Sequence, residues 1–276
     1  MSSQSATPAL AKSRMTLSKL RRLHQQGEKI AMLTAYDASF ARLFDLAGVD
    51  VILVGDTLGQ MIQGRSSTLP VTMDDMIYHS AAVARGNRQA FLIGDMPFMS
   101  YSSVADALHN AGRFLKQAEV QMVKLECSAA QESVIKALAD EGIPVCAHLG
   151  LRPQSVHKLG GYRVQGRDDA AAAAMLAQAE RLEAAGADML LVEAIPASLA
   201  GQITAAATVP VIGIGAGAAC DGQVLVLYDL LGISPPPLPS FVKNFLLEND
   251  SIQSAIAAYV AAVKAGEFPT AQQSYQ

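Results

Sequence analysis

Four apolar runs in this chain each stop at a carboxylate, and that repetition limits the fold more than any other feature. Val51-Ile52-Leu53-Val54 leads through Gly55 to Asp56, and Ala90-Phe91-Leu92-Ile93-Gly94 ends at Asp95. Gln121-Met122-Val123-Lys124-Leu125 ends at Glu126, and Asp188-Met189-Leu190-Leu191-Val192 ends at Glu193. Such apolar, partly β-branched runs suit strands buried on both faces, as in a parallel sheet covered by helices. An acid at the C-terminal end of such a strand points into the mouth of the sheet, where α/β folds place their ligands. Four such ends describe one site assembled from several strands.

Helical signals fill the intervals between strands. The first strand is expected over 29–35, then a helix over 37–47 stopped by Gly48. Thr72 caps a helix that runs to Arg85 and ends at Gly86, and further helices are expected over 103–119 and 131–141. The fifth strand covers 144–148, and a polar, glycine-rich excursion covers 150–167. Asp168-Asp169 caps an alanine-rich helix ending at Gly186, and another helix is expected over 196–207. The seventh and eighth strands read as 210–215 and 222–228, with terminal helices over 241–247 and 252–265 beyond Pro235-Pro236-Pro237. Eight strands alternating with helices predict an α/β chain folded as a (β/α)8 TIM barrel rather than an open doubly wound sheet. One domain over 1–276 is expected, with an N-terminal helix and extra C-terminal helices.

With 51% apolar and 17% charged residues, the chain has material for a large core and too little charge for disorder. A net charge of −4 and the lack of a basic cluster interleaved with aromatics argue against nucleic acid as a partner. Three cysteines without a C-x-x-C motif indicate neither a disulfide framework nor a zinc ribbon, which suits a reducing, cytoplasmic setting. No apolar run reaches the roughly 18 residues of a membrane span. Residues 1–27 hold no acid, while Lys12, Arg14, Lys19, Arg21 and Arg22 are basic. That pattern fits a mitochondrial transit peptide, or a flexible tail over 1–14 followed by a docking helix over 17–26. The second is favoured, because the helix runs straight into the first strand.

In a barrel the second, third and fourth strands are neighbours about 4.8 Å apart, so Asp56, Asp95 and Glu126 fall within about 10 Å of one another. Each acid alone would be read as a helix cap or an arginine partner. Three on consecutive strands form an all-oxygen set that suits Mg2+. Lys124 shares a strand face with Glu126 and serves as an internal counter-ion, as a holder of a substrate anion, or as both. His148 ends the fifth strand in a place as often structural as catalytic. Glu193 stands apart from the acid cluster behind Met189 and Leu191, and apolar surroundings that raise its proton affinity suit a general base. Gly213-Ile214-Gly215-Ala216-Gly217-Ala218 matches a dinucleotide fingerprint only nominally, and reads better as a tight turn at the barrel mouth, open to a ligand.

Ordered short motifs then identify a family. They are Leu33-Thr34-Ala35-Tyr36-Asp37, Val54-Gly55-Asp56-Thr57-Leu58-Gly59, Ser67-Thr68-Leu69-Pro70-Val71-Thr72 and Asp95-Met96-Pro97-Phe98. Lys124-Leu125-Glu126, His148-Leu149-Gly150-Leu151, Pro153-Gln154-Ser155, Gly160-Gly161-Tyr162, Val164-Gln165-Gly166 and Gly213-Ile214-Gly215-Ala216-Gly217 follow. From about Leu17 to Phe268 the chain resembles the ketopantoate hydroxymethyltransferases. The resemblance implies a (β/α)8 enzyme, a homo-oligomer and typically a decamer, that carries a one-carbon unit from 5,10-methylenetetrahydrofolate to 3-methyl-2-oxobutanoate in pantothenate biosynthesis. It implies Mg2+ on Asp56 and Asp95, with Glu126 reaching it through water. It implies Asp56, Thr57, Asp95, Lys124 and His148 around the substrate, and Glu193 as catalytic base.

Some positions depart from the family pattern. Thr57 stands where Ser is common, Cys127-Ser128 replaces Gly-Gly, and Ala147 replaces Gly. Arg152 replaces Thr, and Ser240 replaces Lys. None removes a chemical group from the expected site. Two other functions compete: a Mg2+-dependent barrel lyase that breaks a carbon–carbon bond in a 2-oxo acid, and a barrel that binds a 2-oxo acid without turnover. The first would need a mobile acidic or thiol catalyst, and the second has no use for Glu193.

Overall fold

A computed structural model describes residues 13–276. The expected flexible tail over 1–14 therefore lies almost wholly outside the described residues. In chain order the elements are α1 (Leu17–Gln25), β1 (Ile30–Thr34), α2 (Ala38–Ala47), β2 (Val51–Val54), α3 (Leu58–Met61), α4 (Met73–Gly86) and β3 (Phe91–Asp95). There follow α5 (Val104–Ala118), β4 (Met122–Glu126), α6 (Glu132–Asp140), β5 (Val145–Gly150), α7 (Val156–Leu159), α8 (Asp169–Ala184) and β6 (Met189–Glu193). The chain continues with α9 (Ala197–Ala206), β7 (Val211–Ile214), β8 (Gly222–Leu225), α10 (Leu227–Leu230) and α11 (Ile252–Lys264).

The eight strands run parallel in sequence order and close through β1 against β8. Every residue of β1 to β4 is buried, as the unbroken apolar runs require of strands covered on both faces. Local chemistry fixes the helix starts. Asp37 accepts the N–H groups of Ser39 and Phe40 to open α2, and Thr72 with Asp75 forms a capping box on α4.

The N-terminal helix docks as expected against the N-terminal side of the barrel. Leu20 is buried, Arg21 reaches Asp188 just before β6 at 2.5 Å, and His24 lies 3.0 Å from Asp221 just before β8. At the other end of the chain, α11 packs on α2 and β1. Tyr259 sets its hydroxyl between the carbonyl oxygens of Met32 and Gln223, at 2.9 and 2.8 Å.

Three local expectations are corrected. Residues 241–247 do not form an α-helix; a single 3-10 turn covers Leu246–Glu248. Phe241 and Phe245 enter the core, and the Asn244 side chain accepts the Leu246 N–H at 2.9 Å, an alternative to the helical bond. Strand β8 stops at Leu225, because the Leu227 N–H turns to Thr34 Oγ1 at 3.0 Å and Tyr228 lies in α10. The turn at Gly215 (φ 59°) is not open to a ligand: Phe241 and Tyr275 lie against it, and an added Cβ would meet Phe241 at 2.6 Å.

Candidate active site

The register of the barrel carries four of the expected residues to neighbouring strand ends. Asp95 on β3 stands opposite Lys124 on β4, and Glu126 stands opposite His148 on β5. Lys124 Nζ lies 2.7 Å from each oxygen of Asp95, and the Asp56 N–H points to Asp95 Oδ2 at 3.3 Å. Asp56, Asp95, Lys124 and Glu126 are each no more than 5% exposed. Three carboxyl groups thus face a single ammonium group inside the protein.

Burial and neighbouring charges shift the protonation of Asp56, Glu126 and Lys124. Burial, then the Asp95 charge, pushes Asp56 up to about 7. Burial pushes Glu126 up to about 9 against the pull of Lys124. Burial opposes the Lys124 ammonium, but Asp95, Asp56 and Glu126 outweigh it and hold its pKa above the ordinary value. Among the described residues no three His, Cys, Asp or Glu side chains come together closely enough to hold a metal by themselves. Any cation here would rest on one or two of these carboxylates and complete its shell with other donors.

His148 and Glu193 make a second group. His148 Nε2 lies 3.2 Å from Glu193 Oε2, too far off line for a hydrogen bond, and neither ring nitrogen has a hydrogen-bond partner among the described residues. Burial, then Lys124, drives the imidazole pKa well below its ordinary value, so the ring is neutral near pH 7. Glu193 is 17% exposed, and burial raises it to about 7, with Lys124 pulling the other way. Its place depends on Gly150 (φ 89°), where an added Cβ would come within 2.2 Å of the Glu193 carbonyl oxygen. Leu151 and Gln165 tie the excursion after β5 to Glu193 and Ala194 through backbone bonds of 2.8 and 2.9 Å.

Thr57 opens the short α3 directly after Asp56, and its hydroxyl lies 2.7 Å from that of Tyr36. Cys127 is buried, with its thiol directed at the Leu125 carbonyl and burial pushing it up to about 12. It is therefore no mobile thiol catalyst of the kind a lyase would need.

Sequence reasoning missed two residues that organise this site. Gln154 touches both Asp56 and Glu126, and Tyr101 touches Gln154. Gln154 lies 98 positions from Asp56 in the 3-10 turn Pro153–Ser155; the motif around it helped identify the family, but no periodicity or spacing assigns it a role at the site.

The family model described as ketopantoate hydroxymethyltransferase matches residues 14–271. A 3-methyl-2-oxobutanoate hydroxymethyltransferase of Marinobacter nauticus is 56% identical over 262 residues, covering 95% of this chain and 99% of the relative. One from Nitrosococcus oceani has the same identity and coverage. Among solved structures, phosphoenolpyruvate phosphomutase from Streptomyces platensis subsp. rosaceus superposes with a TM-score of 0.61 at 18% identity, covering 78% of this chain and 82% of that one. That likeness speaks for the barrel alone. The family match and the close relatives decide the matter: the chain belongs to the ketopantoate hydroxymethyltransferase family.

Proposed function

We propose that the chain transfers a hydroxymethyl group from 5,10-methylenetetrahydrofolate to 3-methyl-2-oxobutanoate, giving 2-dehydropantoate for pantothenate and coenzyme A synthesis. Near full-length relatives bearing the name 3-methyl-2-oxobutanoate hydroxymethyltransferase support this reading. The observation that carries the chemistry is Glu193, a carboxyl raised to about 7 beside a neutral His148. A base poised near the working pH is what proton removal from carbon 3 requires.

The acid cluster fits a divalent cation. Three buried carboxyls stand against one ammonium, and burial first, with repulsion among the acids, raises Asp56 and Glu126, a cost that a bound cation would offset. Hard oxygen donors suit Mg2+, which binds through one or two carboxylates and fills its shell from water or substrate. Asp56 and Asp95 would hold it, while Glu126, bonded to the Gln154 N–H, would stay outside. Bound there, the ion supplies a Lewis acid for the oxo and carboxylate oxygens of a 2-oxo acid.

The chain's own groups do the rest. Lys124 and Thr57 orient the substrate, and the free ring nitrogens of His148 line its pocket. Glu193 takes the carbon-3 proton onto its carboxylate. Water adds to the methylene carbon of the folate, and both of its carbon–nitrogen bonds break to leave tetrahydrofolate. The substrate carbanion attacks the released formaldehyde carbon, whose oxygen takes up a proton as the new hydroxyl. The folate enters over the excursion at 150–167. Three buried free thiols fit a reducing, cytoplasmic setting, and a homodecamer is the assembly proposed. Incubation with 3-methyl-2-oxobutanoate, Mg2+ and D2O without folate tests the reading. Deuterium at carbon 3 is the expected result; an unexchanged substrate would leave a binding protein, and cleavage products would indicate a lyase.

A further inference from the structure

Gln154 lies in the 3-10 turn Pro153–Ser155 that follows β5 and is only 6% exposed. Its backbone N–H lies 3.1 Å from both Glu126 oxygens. Its side-chain Nε2 donates to Asp56 Oδ2 at 2.9 Å and to the Met96 carbonyl at 3.0 Å. Its Oε1 accepts the Tyr101 hydroxyl at 2.5 Å. Every polar atom of the amide is thus used, and only one orientation satisfies them. A flipped amide would set an oxygen against a carboxylate and a carbonyl, acceptor against acceptor. One residue of the β5 loop thereby joins groups from the ends of β2, β3 and β4.

A neutral amide suits this place for an electrostatic reason. It holds a carboxylate by hydrogen bonds and adds no charge, so the negative field that would draw a cation is left intact. A lysine or arginine in its place would fix the acid and neutralise it as well.

We infer that Gln154 is a positioning residue that separates the duties of two acids, fixing Asp56 for cation binding while its backbone N–H keeps Glu126 back, with Tyr101 setting the orientation of the amide. The inference rests on the proposed cation site. It concerns the affinity of that site, and not which residues react.

Binding of Mn2+ to the full-length protein, followed by the paramagnetic resonance of the free ion, tests it. Glutamine 154 is replaced in Gln154→Met, which keeps side-chain length without donors, and Tyr101→Phe removes one hydroxyl. Gln154→Met should weaken Mn2+ by about 10–100-fold, the usual cost of losing a group that orients a metal ligand. Tyr101→Phe should weaken it less, and the double variant should bind no more weakly than Gln154→Met, since Tyr101 acts through the amide. Circular dichroism should match the parent throughout, a result that a merely structural role joined to lost binding would not give. Parent-like affinity in Gln154→Met overturns the inference, as does a double variant in which the two losses add. Should Gln154→Met fail to fold, parent-like affinity in Tyr101→Phe overturns it. If the parent itself binds no Mn2+, the cation site is what fails, and the inference goes with it.

Discussion

His148 Nε2 stands 3.2 Å from Glu193 Oε2, and no hydrogen bond within the described chain claims either nitrogen of the buried ring. Such a group carries a desolvation cost unless a ligand satisfies it. Burial sets the proton on each group separately: it keeps the imidazole neutral and lifts the carboxyl next to it to about 7.

A pH dependence follows with a definite sign. Glu193 acts as a base only when deprotonated, and its folded value is about 7 against an ordinary 4.5. The rate constant kcat/KM should therefore fall about tenfold per pH unit below that value. Stability should move the opposite way. Between 4.5 and about 7 the folded state retains a proton that the unfolded chain has lost, so this group's contribution falls as pH rises through that window. Urea titrations of the parent and of Glu193→Gln at several pH values check the second statement, because the glutamine variant should lose that slope.

The metal acids should differ in their response to substitution. Asp56→Ala and Asp95→Ala should abolish Mg2+-dependent activity, and Glu126→Ala should weaken it less, as a residue outside the cation's own ligands. Mg2+ titrations of activity distinguish these outcomes; normal titration in Asp95→Ala would remove that residue from the site.

Asp95 has a second duty that a stability measurement isolates. Removing it leaves the buried Lys124 ammonium without its 2.7 Å partner. Asp95→Ala should cost about 3–5 kcal/mol of stability, the usual consequence of breaking a buried pair from one side. Adding Lys124→Met to the same chain should recover part of that loss, since an apolar pair of similar volume is tolerated.

Assembly is tested by sedimentation. A homodecamer should sediment as a particle several times the 29.0 kDa chain, and a monomer at micromolar concentration would refute it.

Much of the barrel was legible because its signals are local. The apolar runs into Asp95, Glu126 and Glu193 are strands β3, β4 and β6 with the acid as last residue, Asp56 lies just past β2, and Asp37, Thr72 and Gly48 mark helix ends by their own side chains or backbone. Residues 241–247 misled because Phe241 and Phe245, four apart, carry helical spacing, while Asn244 redirects the backbone. The grouping of Asp56, Asp95, Lys124 and Glu126 followed from strand adjacency. The pairing of His148 with Glu193 did not, because it depends on how far each side chain reaches beyond its strand end. Gln154 stood within the quoted Pro153-Gln154-Ser155 motif, but its role was not legible for a further reason: its partners lie on three other strand ends, and only the closed barrel brings them together.

If Glu193 removes the carbon-3 proton, deuterium exchange into 3-methyl-2-oxobutanoate with Mg2+ and no folate measures that step alone. Glu193→Gln keeps the shape of the side chain and leaves Asp56, Asp95, Thr57 and Lys124 to bind the substrate. Exchange and hydroxymethyl transfer should fall together by about 10²–10⁴, the worth of a positioned base. Exchange at the parent rate with transfer lost would contradict the assignment, place Glu193 on the folate side of the reaction, and leave His148 as the next base to test.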